Sequence, residues 1–161
     1  MTRKLLCTLA IALSTMACWM PTIPGLGGGD GDGAFKWTVD GKSVEASANG
    51  QGALRRGGTV FLTGIKCGDN EGISVSALDT LVPGIHPVGG AYNITATYVA
   101  DGSSWEASAK AGSGSMTIST VTQTRASGSF AFEMAASGSS AAGTKSVRGV
   151  FDVAFTDDKI C

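Results

Sequence analysis

His86 is the only histidine in the chain, which makes it the first candidate for a catalytic residue. Acid–base and nucleophilic mechanisms most often use an imidazole, and a Ser–His–Asp arrangement would have to use this one. The sequence has no Gly-x-Ser-x-Gly elbow to present a serine nucleophile. We therefore interpret His86 as a loop histidine beside two prolines, and we predict that the protein is not an enzyme and has no catalytic residues.

Three segments have features of metal or phosphate sites. Asp30-Gly31-Asp32 is similar to the start of a calcium loop, but positions 34 and 41, where an EF-hand needs ligands, are Ala34 and Gly41. Asp69-Asn70-Glu71 is interpreted as a polar turn. The glycine run 27–29 has no strand before it and no helix after it, as a phosphate cradle requires. The sequence therefore predicts neither a metal ion nor a cofactor.

Aromatic residues are the remaining candidates for a binding site. Aromatic faces bury a large area at low entropic cost, so Trp105, Tyr92 and Tyr98 are suited to line a pocket for a sugar or an apolar ligand. The alternative is that they fill the core. Trp105 stands next to a turn, which favours it over the two tyrosines as a ligand contact.

The four cysteines differ in their sequence context. Cys7 lies within the apolar run 5–17, and Cys18 directly follows that run. Cys67 and Cys161 therefore remain as a pair in the rest of the chain. In an oxidising compartment such a pair favours a disulfide, and we predict one between Cys67 and Cys161. Two free thiols are the alternative.

Residues 1–17 have the layout of a secretory signal peptide. Arg3 and Lys4 precede an apolar run from Leu5 to Ala17, which is shorter than the about 20 residues that a membrane-spanning helix needs. The sequence therefore predicts export.

The end of the leader, Thr15-Met16-Ala17-Cys18, resembles a bacterial lipobox. The resemblance implies that Cys18 becomes the lipid-modified first residue of the mature protein, anchored at the bacterial cell envelope on the outer membrane or its periplasmic face. The alternative is a secreted protein that carries Cys18 beside the cleavage site. Residues 18–33 are rich in glycine and proline, and as a flexible tether they would span roughly 20 Å.

Residues 34–161 have a length that fits one domain with one core. The chain has 12 basic and 13 acidic residues, for a formal net charge of −1 at pH 7. The basic residues are scattered rather than gathered in a patch, so nucleic acid is not an expected partner.

The domain alternates apolar and polar residues with the period of two that is typical of antiparallel strands. Phe35, Trp37 and Val39 share one face, and Asp40-Gly41 then predicts a two-residue hairpin turn. The segment 92–98 alternates most regularly, with Tyr92 and Tyr98 on its apolar face. The pattern predicts an all-β, antiparallel β-sandwich or flattened barrel of about 8–9 strands.

Three segments interrupt this pattern. Glycines 50, 52, 57 and 58 indicate a glycine-rich link, Leu81 to Gly90 with its two prolines indicates a loop or an edge strand, and Ala135 to Thr144 indicates an exposed loop.

The order of several short segments resembles a family of bacterial β-rich lipoproteins, a domain of unknown function, over residues 34–155. The segments are FKWTVDGKSVEA (35–46), PGIH (83–86), GSMTI (114–118), SGSFAF (127–132) and VRGVFDV (147–153). The resemblance implies a lipid-anchored β domain and no known activity. We expect a structural or binding module at the cell envelope, with the membrane and an envelope protein or glycan as partners. A periplasmic or secreted domain that binds a carbohydrate or apolar ligand is the alternative.

Overall fold

The alternating pattern forms strands throughout residues 34–156, which a computed structural model describes together with Cys161. The predicted signal peptide (1–17) and the predicted lipidation site and tether (18–33) lie outside the described residues. The strands are β1 (Ala34–Val39), β2 (Lys42–Glu45), β3 (Gln51–Arg56), β4 (Thr59–Lys66), β5 (Glu71–Leu78), β6 (Gly84–Pro87), β7 (Thr95–Ala100), β8 (Ser103–Ala107), β9 (Ser113–Val121), β10 (Arg125–Ser137) and β11 (Thr144–Ala154). A short 3₁₀ turn, Ala48–Gly50, joins β2 to β3.

The strands form one antiparallel sheet that curls into a half-barrel. Its main path runs β2-β1-β11-β10-β8-β7-β5-β4-β3, and β6 and β9 branch from it. The branch exists because β10 is 13 residues long and pairs along one edge with both β9 and β8. The architecture confirms the predicted all-β, antiparallel fold, in the barrel-like form.

The two edges of this sheet, β2 and β3, are consecutive in the chain. The segment between them contacts both sides: the Ala46 N–H donates to the Phe35 carbonyl, and the Ser47 N–H donates to the Ile65 carbonyl, at 2.9 and 3.0 Å. Further along, the Thr156 N–H donates to the carbonyl of Ala53 in β3 at 2.9 Å. These bonds hold the edges of the curled sheet together.

The main path has nine strands, in agreement with the predicted about 8–9, and with the branch strands β6 and β9 the described residues form eleven in total. One missed strand is β3, which lies in the predicted glycine-rich link. A Cβ at Gly50, directly before β3, would lie 2.0 Å from the Ile65 carbonyl oxygen, so this glycine permits a close backbone approach and does not mark a flexible loop. Strand β6, in contrast, forms the edge strand that was one of the two expectations for Leu81 to Gly90. The predicted loop 135–144 is also shorter, because β10 continues to Ser137.

The predicted hairpin at Asp40-Gly41 is confirmed. The φ angles are 49° at Asp40 and 86° at Gly41, and a type I′ turn needs positive φ at both central residues. This turn matters for the site because it directs the Asp40 side chain towards β11.

Phe35 lies at the centre of the core and is fully buried. Its ring packs against Trp37, Phe130 and Phe151, with centroids 5.8–6.1 Å apart. The opposite wall accommodates this ring at Gly64, where a Cβ would lie 2.4 Å from the Phe35 ring. The aromatic cluster and the glycine are therefore complementary parts of one packing arrangement.

The half-barrel has two distinguishable ends. Strand β1 enters at Ala34, which pairs with Asp152, and leaves at Val39, which pairs with Val147. We call the end at which β1 leaves the mouth. It is formed by the turns after β1, β4 and β7 and by the start of β11.

A disulfide joins Cys67, in the turn after β4, to Cys161, with Cα atoms 5.9 Å apart. The Cys67 N–H donates to Ser47 Oγ, and the Cys161 N–H donates to the Asn49 carbonyl, both at 2.9 Å. The predicted pairing is therefore confirmed, and it fixes Cys161 beside the β2–β3 connection.

Candidate functional site at the mouth of the half-barrel

An open cleft of about 810 Å³ lies at the mouth. The residues that line it come from seven strands and the turns between them: Val39, Asp40, Lys42, Lys66, Asp69, Glu71, Tyr98, Ala100, Asp101, Ser103, Trp105 and Lys145. Seven of these side chains carry a charge at neutral pH, four acidic and three basic. The cleft is therefore suited to a polar ligand.

Two aromatic rings form the floor of the cleft. Tyr98 on β7 and Trp105 on β8 occupy paired positions in the register, so their side chains project from the same face, with ring centroids 5.7 Å apart. They are only 4% and 8% exposed. The Trp105 Nε1–H donates to the Ala142 carbonyl at 3.3 Å, which ties the β10–β11 loop to the floor.

The Tyr98 hydroxyl donates to Glu71 Oε1 at 2.8 Å, a bond between the side chains of β7 and β5. Burial disfavours the phenolate, and the neighbouring Glu71 carboxylate disfavours it further, so the pKa of Tyr98 lies well above its usual value. Tyr98 is therefore a neutral hydrogen-bond donor at physiological pH.

Lys145 crosses the cleft above the floor. Its Nζ lies 2.7 Å from Asp40 Oδ2 and 5.5 Å from the centroid of the Trp105 ring, within the range of a cation–π contact. The Ser146 N–H also donates to Asp40 Oδ1 at 3.0 Å. The hydrogen bond from Lys145, and next the one from Ser146, lower the pKa of Asp40 below its usual value.

The remaining charges of the cleft differ in how they are paired. Lys66 forms an ion pair with Asp69 in its own turn, and the hydrogen bond to this carboxylate raises the pKa of Lys66. Asp101 contributes to the raised pKa of Tyr98. Lys42, in contrast, has no side-chain hydrogen bond or ion pair with any residue that the structure describes.

Of the three aromatic residues predicted to bind a ligand, the structure brings Tyr98 and Trp105 together in the cleft. Tyr92 lies elsewhere and packs edge-on against the ring of His86, with centroids 4.4 Å apart. His86 is buried, and its Nε2 donates to the Val82 carbonyl at 2.7 Å. The histidine that could have served in catalysis is therefore in a structural contact outside the cleft.

A second, smaller groove of about 310 Å³ lies on the outer face of β4, β5 and β7. Its floor is Gly72, and the neighbouring positions on the paired strands are Ile65 and Val99.

Within residues 34–156 and Cys161, we find no group of three or more histidine, cysteine or acidic side chains that could hold a metal ion. Asp69 lies in the predicted polar turn after β4, and Glu71 is the first residue of β5.

Sequence reasoning missed Asp40, Glu71 and Lys145 as residues of the site. Asp40 was recognised only as a turn residue, and Lys145 was not singled out, because their contact joins positions 105 residues apart in the chain. The only available signal was indirect. In a barrel, the residues beside alternate hairpin turns meet at one end.

Searches against models of protein families, curated proteins and solved structures found no match to this chain. The resemblance to bacterial β-rich lipoproteins therefore stays a prediction. In the part of the chain that the structure describes, no helix is long and apolar enough to cross a bilayer.

Proposed function

We propose that this chain is an exported, lipid-anchored module of the bacterial cell envelope that binds a small polar ligand in the mouth cleft and does not transform it. The observation that carries the proposal is the position of the cleft, at the end of the half-barrel opposite Ala34. A lipid on Cys18 would connect to the domain through Ala34.

In this arrangement, the cleft would be open to the solution beside the membrane. Strand β1 has six residues, so it rises about 20 Å from the anchored end to the mouth. With the lipid attached before Ala34, the cleft lies at the end of the domain opposite the attachment. A soluble or cell-wall ligand would then have direct access to it.

The chemistry of the cleft supports binding in preference to catalysis. Tyr98 remains protonated and bonded to Glu71, and Lys145 and Lys66 are paired with carboxylates. An activated nucleophile needs a base within hydrogen-bond reach. His86, the only imidazole of the chain, lies outside the cleft.

The intact mass of the mature protein from an envelope fraction tests the anchor. A chain that begins at Cys18 and carries added acyl mass is the expected result. An unmodified mass would overturn the anchor and favour the alternative of a freely secreted or periplasmic carbohydrate-binding domain, for which the Tyr98–Trp105 pair would supply the aromatic floor.

The orientation has its own test in lipid vesicles. Ser43 lies next to the turn after β1 at the mouth, and Arg56 lies at the opposite end. Both positions are exposed, so each is replaced in its own variant, Ser43→Cys or Arg56→Cys. We label each thiol with a fluorophore and add lipids that carry a quencher on their headgroups. The expected result is stronger quenching at position 56. Equal quenching, or stronger quenching at position 43, would contradict the proposed orientation.

A further inference from the structure

We infer that the mouth cleft contains a subsite for an organic ammonium group, above Trp105 and beside Asp40, and that Lys145 occupies this subsite when no ligand is bound. The inference rests on the proposed binding function and specifies the charge and chemistry of the ligand. It concerns one group of the ligand, the cation.

The position of Lys145 shows that the subsite accepts an ammonium group. The Nζ lies 5.5 Å from the centroid of the Trp105 ring and 2.7 Å from Asp40 Oδ2. An indole face attracts cations through its quadrupole, and a carboxylate adds a charge-assisted hydrogen bond or an ion pair. The protein therefore places its own ammonium where these two attractions coincide.

Lys145 is also a replaceable occupant. Its side chain is 31% exposed and that of Asp40 is 47% exposed. Ion pairs with this exposure contribute little to stability, because water and salt screen them and because a long side chain must be held in one conformation. The Lys145 side chain therefore has to move only into the open cleft to vacate the subsite.

The surrounding cleft favours a ligand cation. Glu71, Asp69 and Asp101 line it together with Asp40, so that acidic side chains outnumber the lysines. A cleft of about 810 Å³ lies within the range of roughly 300–1,000 Å³ of small-molecule sites. Trp105 packs against the Tyr98 ring and donates its Nε1–H to the Ala142 carbonyl, so two contacts within the protein already position its ring.

The test compares cationic probes with neutral counterparts, an isostere in the first pair and the N-acylated sugar in the second. Choline and 3,3-dimethylbutan-1-ol differ in the cationic nitrogen, and glucosamine and N-acetylglucosamine differ in the free amine. Binding to the full mature chain is followed through the indole N–H signals in ¹⁵N spectra. The chain has three tryptophans, and Trp105→Phe assigns the signal of Trp105. We expect choline and glucosamine to shift this signal and their neutral counterparts to leave it unchanged.

Two variants distinguish the subsite from general attraction to the acidic cleft. Lys145→Gln removes the competing cation and keeps a polar side chain that is one atom shorter, and we expect it to bind choline about three- to tenfold more tightly. Adding Asp40→Asn to this variant keeps an oxygen for the Ser146 N–H and removes the charge, and we expect the gain to be lost. The matched control is Lys36→Gln, because Lys36 also forms an ion pair, with Glu45, but lies outside the cleft.

The outcomes separate the inference from the proposed function. Equal choline affinity in the wild type and Lys145→Gln, or the absence of a response to choline in both, would overturn the inference. Equal shifts with glucosamine and N-acetylglucosamine would overturn it as well, while binding in the cleft, and with it the proposed function, would stand. The mass measurement on Cys18 is independent of all of these results.

Discussion

The Tyr98 hydroxyl lies 2.8 Å from Glu71 Oε1, and this hydrogen bond joins β7 to β5 beneath the mouth cleft. Residues 71 and 98 are separated by 27 positions in the chain but lie on paired strands. The bond couples the floor of the site to the turn that supplies Lys66 and Asp69. The ionisation of Tyr98 is therefore linked to the stability of the sheet.

Alkaline pH is expected to destabilise the fold through Tyr98. Its pKa is raised in the folded state, mainly by burial, so the folded protein retains the phenolic proton more strongly than the unfolded chain. The resulting stabilisation is fully present below pH 10.0, the ordinary pKa, and is lost as the pH rises above it. Tyr92→Phe leaves Tyr98 as the only tyrosine, and the absorbance of tyrosinate then reports its ionisation.

If the tyrosinate absorbance of the Tyr92→Phe protein rises at the ordinary pKa while the fold is intact, the bond to Glu71 and the burial of Tyr98 do not hold in solution. In Tyr98→Phe, we expect the free energy of unfolding to depend less on pH above 10.0, the ordinary pKa of tyrosine.

At acidic pH, we expect a contribution from Asp40. Hydrogen bonds from Lys145 and Ser146 lower its pKa in the folded state from the ordinary value of 3.8. The stabilisation is therefore present above pH 3.8 and is lost as the pH falls from there through the folded-state pKa. In Asp40→Asn, the free energy of unfolding should fall less steeply over this range. A matched control is Asp79→Asn, which removes an acidic partner at the other end of the barrel.

The parts of the fold that local pattern determines were predictable from the sequence. Strand β1 has a strict alternation, and Asp40-Gly41 has the residues that a type I′ turn requires, so both were correct. Strand β3 was not predictable, because Gly50 before it serves a close approach to Ile65 of β4 that local pattern does not show. The Tyr98–Trp105 pair could be proposed from residue type. The position of the Lys145 ammonium above Trp105 could not be proposed from the sequence, because this contact depends on the closure of the sheet.

The packing of Phe35 predicts a specific sensitivity at Gly64. In Gly64→Ala, the new Cβ would lie 2.4 Å from the Phe35 ring, which cannot withdraw because Phe130 and Phe151 pack against it. Overpacking of this kind costs about 1–3 kcal/mol, and we expect a value at the upper end of this range. Denaturant unfolding measures the loss.

Gly72→Ala is the matched control for this substitution. A Cβ at Gly72, on the adjacent strand, would approach no atom closer than 3.1 Å. We therefore expect Gly72→Ala to lose less stability than Gly64→Ala. The reverse order would show that the Phe35 ring does not occupy the space in front of Gly64.

The disulfide is expected to make a large contribution to stability. Cys67 and Cys161 are 94 positions apart, and the chain-entropy model assigns a loop of this length about 4–5 kcal/mol, acting on the unfolded state. The double variant Cys67→Ser/Cys161→Ser should therefore unfold at a markedly lower denaturant concentration. Reduction of the wild type should reproduce this shift and leave the double variant unaffected. A double variant as stable as the oxidised wild type would contradict the prediction. Because Cys67 follows Lys66 in the turn that lines the cleft, we also expect the ¹⁵N signals of residues 66–71 to change most.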